Sequence, residues 1–380
     1  MALWSSDLQD KRIINAVVVS VAGGELDHRF SHTRATSATG TARHRCGPFS
    51  TTDKHGEGRG VPDYGTRSHM IQTGRDISVV MCAYTEDRWD DLCAAVASLR
   101  QQQLPAREII VVVDHNPALF ERTRTSIPDV VVCENYEPRG LSGARNSGIA
   151  LARGEIVAFI DEDAIAAPDW LVRLADGYRD ARVVGVGGAI EPLWLSGRPD
   201  WFPQEFDWVV GCTYQGMPSA AAPVRNLIGC NMSFRREVFT AVGGFRSGIG
   251  RVGTLPVGCE ETELCIRVRQ HWPDRLMLYD PRVRVQHRVP TSRGRWAYFR
   301  SRCYAEGISK ALVSRFVGSQ DALSSERAYT MRTLPLGVAR GLAAALQRDL
   351  AGPARAAAIV AGLAFTTAGY LRGTLQGSPS

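Results

Sequence analysis

The amino-acid sequence predicts an α/β protein with a mostly parallel central sheet between two layers of helices. Three short apolar runs indicate this fold, and they are Ile77–Ala83, Glu108–Val113 and Ile156–Ile160. Runs of this length that are rich in β-branched residues are typical of strands covered on both faces. Helical patterns lie between the runs at short spacing, and such alternation predicts right-handed crossovers and therefore parallel strands.

The elements between these runs follow from hydrophobic spacing. From residue 90 to 102, Leu92, Val96 and Leu99 recur at helical intervals and define one apolar face. The segment 185–285 is less regular and contains many glycines and prolines until a helical pattern returns near its end. The remaining predicted elements are a strand at 130–133 and helices at 143–152 and 261–270.

Composition divides the chain into three parts. Residues 23–75 are rich in Gly, Ser, Thr, Arg and His and poor in large apolar residues, so residues 1–75 are predicted to be a disordered extension. Residues 76–310 contain the α/β pattern and are predicted to form a GT-A-like domain, for the reasons given below. Residues 311–380 are predicted to form a helical C-terminal region.

The C-terminal region contains two apolar segments that are rich in alanine and glycine, 334–346 and 356–371. The second segment has sixteen residues, fewer than the roughly 20 that a membrane-spanning helix needs. Two interpretations stay open: amphipathic helices that contact a membrane surface, or a helical hairpin packed on the domain.

The overall composition limits the classes of function. With 44% hydrophobic and 22% charged residues, the chain is globular rather than wholly disordered, fibrous or polytopic in a membrane. The net charge of +6 suits an anionic ligand or membrane surface but is too small to indicate nucleic acid, which is not expected as a partner. The nine cysteines show no zinc-type spacing and an odd count, so a reducing, cytoplasmic location is expected.

Acidic residues follow three of the predicted strands. They are Glu86 and Asp87 after the first, Asp114 after the second, and the cluster Asp161-Glu162-Asp163 after the strand at 156–160. Because ligands of open α/β sheets bind at the carboxyl ends of the strands, we expect these acids to meet in one cleft. Clustered carboxylates need a cation or hydrogen-bond donors, and oxygen ligands favour Mg²⁺ or Mn²⁺.

Three further features offer charged or polar groups to such a cleft. The segment 139–146 contains Arg139, Arg145 and two glycines, an arrangement that suits an anion such as a diphosphate. The segment 258–263 places three carboxylates at a helix N-terminus, where they cap the helix or supply a general base. His287 follows a strand-like run and is either structural or a ligand.

In this order and at this spacing, the motifs resemble those of family 2 glycosyltransferases with the GT-A fold. The resemblance covers about residues 76–310 and is carried by the segments 78–86, 111–114, 143–148, 159–163 and 260–264. It implies a metal-dependent enzyme that transfers a sugar with inversion from a nucleoside diphosphate sugar, with UDP as the expected nucleotide, to a hydroxyl acceptor.

The tail at 285–290, together with 307–310, resembles a subgroup whose members work near membranes. This part of the resemblance implies a lipid-linked or cell-envelope glycan as the acceptor. It also implies peripheral membrane contact through the C-terminal helices and a location at the cytoplasmic face of the membrane.

The resemblance implies roles for individual residues on the donor side. The nucleotide-sugar site would comprise Ala83, Tyr84, Thr85, Glu86, Asp114, Arg139, Arg145, Asp161 and Glu162. Asp163 and His287 would bind Mn²⁺ or Mg²⁺.

On the acceptor side, the resemblance implies that Glu261 is the catalytic base and that Asn231 and Glu260 line the sugar or acceptor pocket. Two positions depart from the family pattern. Glu261 stands where an aspartate is usual, which adds one methylene of reach, and Thr85 stands where asparagine is common.

Three other functions remain open at the level of the residues. A sugar nucleotidyltransferase would need a glycine-rich basic loop after the first strand, and residues 83–88 are not such a loop. A non-catalytic module that binds nucleotide sugars would use the same cleft without a base. Nucleic-acid binding through the basic segment 293–316 would show strong salt dependence, although a helix that docks on a membrane or on the domain explains the same residues.

Overall fold

The computed structural model describes residues 76–250, 258–318 and 324–375 of the 380-residue chain. The extension predicted to be disordered, residues 1–75, lies outside the described residues. The strands are β1 Ile77–Ala83, β2 Glu108–Val113, β3 Val131–Glu134, β4 Ile156–Ile160, β5 Ala164–Ala166, β6 Val183–Trp194, β7 Ala222–Val224, β8 Asn231–Arg235 and β9 Leu276–Val289.

The helices agree with the predicted ones to within a few residues at each end. They are α1 Trp89–Arg100, α2 Pro117–Ser126, α3 Leu141–Leu151, α4 Trp170–Gly177, α5 Arg236–Val242, α6 Glu260–His271, α7 Trp296–Val317, α8 Ser324–Ala328, α9 Leu334–Leu346 and α10 Gly352–Leu375. Short 3-10 turns occur at Glu86–Arg88, Gln204–Val210 and Thr291–Gly294, and a π-helical turn occurs at Tyr329–Thr333.

Within the described residues, the strands form one sheet in the order β3-β2-β1-β4-β8-β6-β9-β5, with β7 added to β9. Strands β3, β2, β1 and β4 are all parallel. Antiparallel pairing begins at β8, which lies between β4 and β6, whereas β6 and β9 are again parallel. The predicted α/β class is confirmed, and the antiparallel pairs lie where the sequence pattern is least regular.

The side chains of β1 show why helices cover both faces of the sheet. Val79 packs in one core with Leu92 of α1 and Trp170 of α4. Val80 packs in a second core with Leu264 of α6. Because neighbouring residues of a strand point to opposite faces, the two cores lie on opposite sides of the sheet. The predicted three-layer arrangement is therefore confirmed.

Helix α7 runs without a break through residue 310, where the sequence analysis ends the GT-A-like domain. It packs against α10 at backbone distance. A Cβ atom added to Gly307 would lie 2.0 Å from the Thr366 carbonyl oxygen, and one added to Gly369 would lie 2.0 Å from the Tyr304 carbonyl oxygen. Only glycine fits this contact, because any side chain would push the two helix backbones apart.

Helix α10 is longer than the sequence analysis predicts. It has 24 residues and is long and apolar enough to cross a membrane. The predicted length was wrong because the helix continues beyond the apolar segment at both of its ends. Its outer face includes Leu371 and Leu375, which are 56% and 81% exposed, so the helix packs on the domain and also presents an apolar surface.

We expect Gly369→Val to lower the free energy of unfolding by about 1–3 kcal/mol, since the added methyl groups overpack the contact between α7 and α10. Urea denaturation of the purified protein measures this change. Ala368→Val is the matched control, because Ala368 is exposed on the same helix and a surface change alters stability by about 0.5 kcal/mol or less. Equal stability of the two variants would contradict the close helix contact.

Candidate active site

The carboxyl ends of the parallel strands β1, β2 and β4 lie side by side at one edge of the sheet. Ala83 of β1 is in register with Val113 of β2, so the residues after these strands are neighbours. Asp114 is buried there. Its Oδ1 accepts a hydrogen bond from Asn135 Nδ2 at 2.7 Å, and its Oδ2 accepts one from the Gly140 amide at 3.0 Å. Asp114 therefore fixes the loop that leads into α3.

The three acids after β4 have different surroundings. Asp161 is partly exposed, whereas Glu162 and Asp163 are buried. Arg88 Nη1 lies 2.7 Å from Glu162 Oε1 and 3.1 Å from Asp163 Oδ2. On the other side, His287 Nε2 lies 3.1 Å from Asp163 Oδ1. The structure thus brings together the two residues predicted to bind the metal.

The pKa values of the two buried acids move in opposite directions. Burial and the charge of Asp163 raise the pKa of Glu162 to about 7, although Arg88 opposes this rise. Burial also acts on Asp163, but His287, Arg88 and Arg293 together hold its pKa well below the usual range. Asp163 is therefore an anion at neutral pH.

A possible cation site lies beside Asp163. The ligand atoms of Asp161, Cys230 and His287 lie within 4.8 Å of one another, and Asp163 adjoins them through its contact with His287. Carboxylate and imidazole ligands suit Mn²⁺ or Mg²⁺, while a thiolate suits softer cations. The donors present therefore fit a divalent cation.

Arg145 of α3 joins this acidic edge to the start of α6. It is buried, and its Nη1 lies 2.7 Å from Glu260 Oε1 while its Nη2 lies 3.7 Å from Asp161 Oδ1. Nη2 also donates a hydrogen bond to the Gly229 carbonyl oxygen at 3.2 Å. Among the described residues, Glu260 Oε2 has no hydrogen-bond partner, so this oxygen can accept a hydrogen bond from a bound molecule.

Glu261 lies beside this ion pair in the first turn of α6. Loss of contact with water and the charge of Glu260 raise its pKa to about 8, although Arg145 opposes the rise. A carboxylate with a raised pKa binds a proton more strongly, which suits a general base. The preceding residue, Cys259, has a φ of 76°. This left-handed conformation is strained for a residue other than glycine, and such strain is common at functional sites.

A cavity of about 550 Å³ brings these groups together. One end is polar, and its lining includes Arg145, Asp161, Glu260, Glu261 and His287. The other end is formed largely by apolar and aromatic side chains of the C-terminal helices and of the turn at Gln204–Val210. Its lining includes Phe206, Trp208, Tyr329, Leu334, Leu363 and Tyr370.

Several predicted nucleotide-binding residues lie outside the cavity lining but follow the same strand edge. The guanidinium of Arg88 lies 5.4 Å from the ring centre of Tyr84. Thr85 Oγ1 accepts a hydrogen bond from the Asp87 amide at 3.3 Å and so begins the following turn. Glu86 and Arg139 are exposed. Their contacts with a nucleotide stay a prediction.

Asn231 lies behind the cavity wall, and the structure does not bring its side chain into the lining. The side chain is fully buried. Its Oδ1 accepts a hydrogen bond from Trp170 Nε1 at 2.8 Å, and its Nδ2 donates to the carbonyl oxygens of Ala189 and Val283 at 3.0 and 2.9 Å. These bonds tie β8 to the strands and helix around it and leave the amide no free group, whereas the adjacent Cys230 does line the cavity.

Sequence reasoning missed three residues of this site. Arg88 and Arg293 compensate the buried Asp163, the latter at 3.6 Å from Asp163 Oδ2, and Cys230 joins the candidate metal ligands. Arg88 directly follows the first acidic turn, which is a usable signal. Nothing in the pattern indicates the partners of Arg293 and Cys230, because they come from distant segments of the chain.

Comparisons with known proteins point to one family. The family model described as glycosyl transferase family 2 matches residues 78–243. The glucosyl-dolichyl phosphate glucuronosyltransferase of Haloferax volcanii is 37% identical over 241 residues, which cover 62% of this chain and 77% of that protein. The succinoglycan biosynthesis protein ExoM of Rhizobium meliloti is 25% identical over 240 residues, which cover 61% of this chain and 72% of that protein.

A solved structure was also found to be similar. It is the mannosyltransferase PcManGT from Pyrobaculum calidifontis in complex with GDP-Man and Mn²⁺, with 19% identity and a TM-score of 0.47 over 76% of this chain and 86% of that chain.

The chain therefore belongs to glycosyl transferase family 2, and the predicted family is confirmed. The protein is a glycosyltransferase. The strands and helices that the family match spans run from β1 to α5 and include the acidic edge and Arg145.

We expect Arg145→Met to lower the free energy of unfolding by about 3–5 kcal/mol, because Glu260 would remain buried without its partner. Denaturation in urea tests this, and the double variant Arg145→Met/Glu260→Gln should recover part of the loss. Arg153→Met is the control, since Arg153 is exposed although it pairs with Glu108, and such a pair contributes about 1 kcal/mol or less. A similar loss in both single variants would argue against a special role for the buried pair.

Proposed function

We propose that the protein transfers a sugar, with inversion, from a nucleoside diphosphate sugar to a hydroxyl group of a lipid-linked acceptor. UDP is the expected nucleotide. The observation that supports this most directly is the cavity, because it holds Glu261 beside Asp161 and His287 and continues into an apolar end. The name of the Haloferax volcanii relative, which includes glucosyl-dolichyl phosphate, also favours a lipid-linked acceptor.

Glu261 acts as the general base in this reaction. It removes the proton from the acceptor hydroxyl as that oxygen attacks the anomeric carbon, on the face opposite the diphosphate. The bond between the anomeric carbon and the diphosphate oxygen breaks, and its electron pair leaves with the nucleoside diphosphate. Arg145 orients the site because it holds Glu260 at 2.7 Å and approaches Asp161 at 3.7 Å.

Asp163 and His287 would hold a divalent cation, Mn²⁺ or Mg²⁺, with Asp161 and Cys230 beside them. When bound, this ion would offset the negative charge of the diphosphate. Asp163 is already ionised through Arg88 and Arg293, so it binds a cation without first losing a proton.

The acceptor proposal places the protein at the cytoplasmic face of a membrane. Helix α10 is long and apolar enough to enter one. Exposed leucines also occur on and after α9, namely Leu336, Leu342, Leu346 and Leu350. An interfacial position would bring the apolar end of the cavity close to lipid.

The other functions considered have less support. Membership of the glycosyltransferase family argues against a nucleotidyltransferase, and a base with a raised pKa in the cavity favours an enzyme over a binding module. Nucleic-acid binding would need exposed cations in the segment 293–316, yet Arg293 and Arg302 are buried.

Replacing Glu261 by Gln should lower the transfer rate by about 10²–10⁴-fold, because the amide cannot accept the proton. In the wild type, kcat/KM should rise with pH through about 8, since Glu261 is active only as the carboxylate and its pKa is raised to about 8. Release of nucleoside diphosphate measures both effects. Glu121→Gln, an exposed change on α2, should leave the rate and the pH profile unaltered. A pH profile that is flat from 6 to 9 would exclude Glu261 as the base.

Cobalt(II) provides a spectroscopic test of the cation site. We expect titration of the metal-free protein with Co²⁺ to produce a sulfur-to-cobalt charge-transfer band, which Cys230→Ser should abolish. His287→Ala should weaken the binding by about 10–100-fold. Cys93→Ser is the control, because this partly exposed thiol lies on α1, outside the candidate ligand group. Cobalt binding that is unchanged in both Cys230→Ser and His287→Ala would place the cation elsewhere.

A further inference from the structure

Helix α7 presents a row of three charged side chains to the cavity. Arg302, Glu306 and Lys310 are spaced four residues apart, so they share one helix face, and all three line the cavity. Arg302 Nη1 lies 2.8 Å from Glu306 Oε2, and Lys310 Nζ lies 3.6 Å from Glu306 Oε1. Their side chains are only 11%, 14% and 13% exposed, in the order of the chain. We call these residues the α7 charge row.

The α7 charge row carries more positive than negative charge. Lys310 Nζ also lies 2.6 Å from Glu326 Oε1, and Glu326 pairs in turn with Arg225. These three cations and two carboxylates leave an excess of one positive charge. Removing so many charges from water is costly, and the sugar transfer described above uses none of them. A net positive, largely buried network therefore suits an anion within the cavity.

Arg302 supplies the most specific sign of a ligand. The residue is 9% exposed, and its guanidinium lies 5.9 Å from the ring centre of Trp208. Its Nε is buried and has no hydrogen-bond partner among the residues that the structure describes. A buried N–H group is almost always paired. The missing partner is thus an acceptor oxygen from a molecule that binds in the cavity.

The α7 charge row lies between the two ends of the cavity. On the catalytic side, Glu306 Oε1 is 3.2 Å from Cys259 Sγ, two residues before Glu261. On the other side, the lining continues with Leu334 of α9 and Leu363 of α10. Met331 also lines the cavity and is 76% exposed, so it marks an apolar mouth.

We propose that Arg302 and Lys310 bind the phosphate of a lipid-linked acceptor. The acceptor sugar then lies at Glu261, and its hydrocarbon chain leaves between α9 and α10 past Met331. The nature of the acceptor rests on the proposed function, whereas the anion site rests on the contacts of α7. The same cations would also attract free phosphate or the carboxylate of an acidic donor sugar, and the experiment below separates these ligands.

The first experiment measures binding without sugar transfer. Thermal unfolding of the full chain is followed with a ten-carbon prenyl monophosphate, with the prenyl alcohol of the same length, and with inorganic phosphate. We expect the wild type to bind the prenyl phosphate about 10–100-fold more tightly than the alcohol, since the phosphate forms charge-assisted hydrogen bonds. It should also bind the prenyl phosphate more tightly than inorganic phosphate, because the chain contacts the apolar end.

Two variants test the residues. Lys310→Gln should lose most of the preference for prenyl phosphate over the alcohol. Arg302→Lys should lose it too, although this variant retains the positive charge, because lysine cannot reproduce the Nε–H and the planar fork. Arg295→Gln is the control, since Arg295 is exposed just before α7 and does not line the cavity. Unfolding without ligand verifies that each variant folds.

Several results would overturn the phosphate site. They are an unchanged preference in both folded variants, equal affinity of the wild type for inorganic phosphate and prenyl phosphate, or an effect of Lys310→Gln that is confined to the KM of a donor with a carboxylate-bearing sugar. The last result would assign the cations to the donor.

A transfer assay separates this proposal from the proposed function. Equal kcat/KM for a glycosyl prenyl phosphate and a neutral alkyl glycoside would refute the phosphate site and leave sugar transfer intact. Tight, variant-sensitive binding of prenyl phosphate without transfer from any nucleotide sugar would refute the proposed function and support the phosphate site.

Discussion

The arrangement of the site depends on the compensation of buried negative charge by arginine. Parallel strands deliver their carboxyl ends to one edge, and carboxylates placed there would repel one another in a medium of low dielectric constant. Arg145 reaches from α3 to Glu260 on one side and to Asp161 on the other, while Arg88 pairs with Glu162 and Asp163. These side chains bring segments that are far apart in the chain into one cleft.

Compensation is uneven, and the unevenness distinguishes the roles of similar residues. Arg145 pairs directly with Glu260, whereas Glu261 is left with a raised pKa beside that pair. Asp163 is kept ionised by its neighbours, but Glu162 next to it is not. Four carboxylates of the same sheet edge and helix start thus differ in charge and basicity near neutral pH, which is what acid–base chemistry beside an ion site requires.

The parallel half of the sheet and the acidic edge could be predicted from the sequence, because both depend on local pattern. The run at 108–113 has the composition of a doubly covered strand, and Asp114 and Asp161 follow their strands directly. The family resemblance added Glu261, which charge and spacing alone could not separate from a helix cap. Whether Asn231 would face the cavity was not predictable, since its burial depends on Trp170 and on the carbonyl groups of two other strands.

The length of α10 and the partners of the α7 charge row depend on packing between distant segments. A sequence window ends α10 at its polar residues, yet contact with α7 maintains the helix beyond them. In the same way, Glu326 is an ordinary surface residue by pattern. It is an ion-pair partner only because the turn after α8 returns to the cavity, where Lys310 and Arg225 lie.

The continuity of α7 through residue 310 bears on how such enzymes can diversify. The half of the cavity that holds the donor chemistry and the half built from C-terminal helices share this one helix, and glycines lock it to α10. Exchange of the last helices between relatives could alter which acceptor is used only if α7 were exchanged with them. Recombination at the apparent end of the sheet domain would instead separate the cations from the wall that completes their pocket.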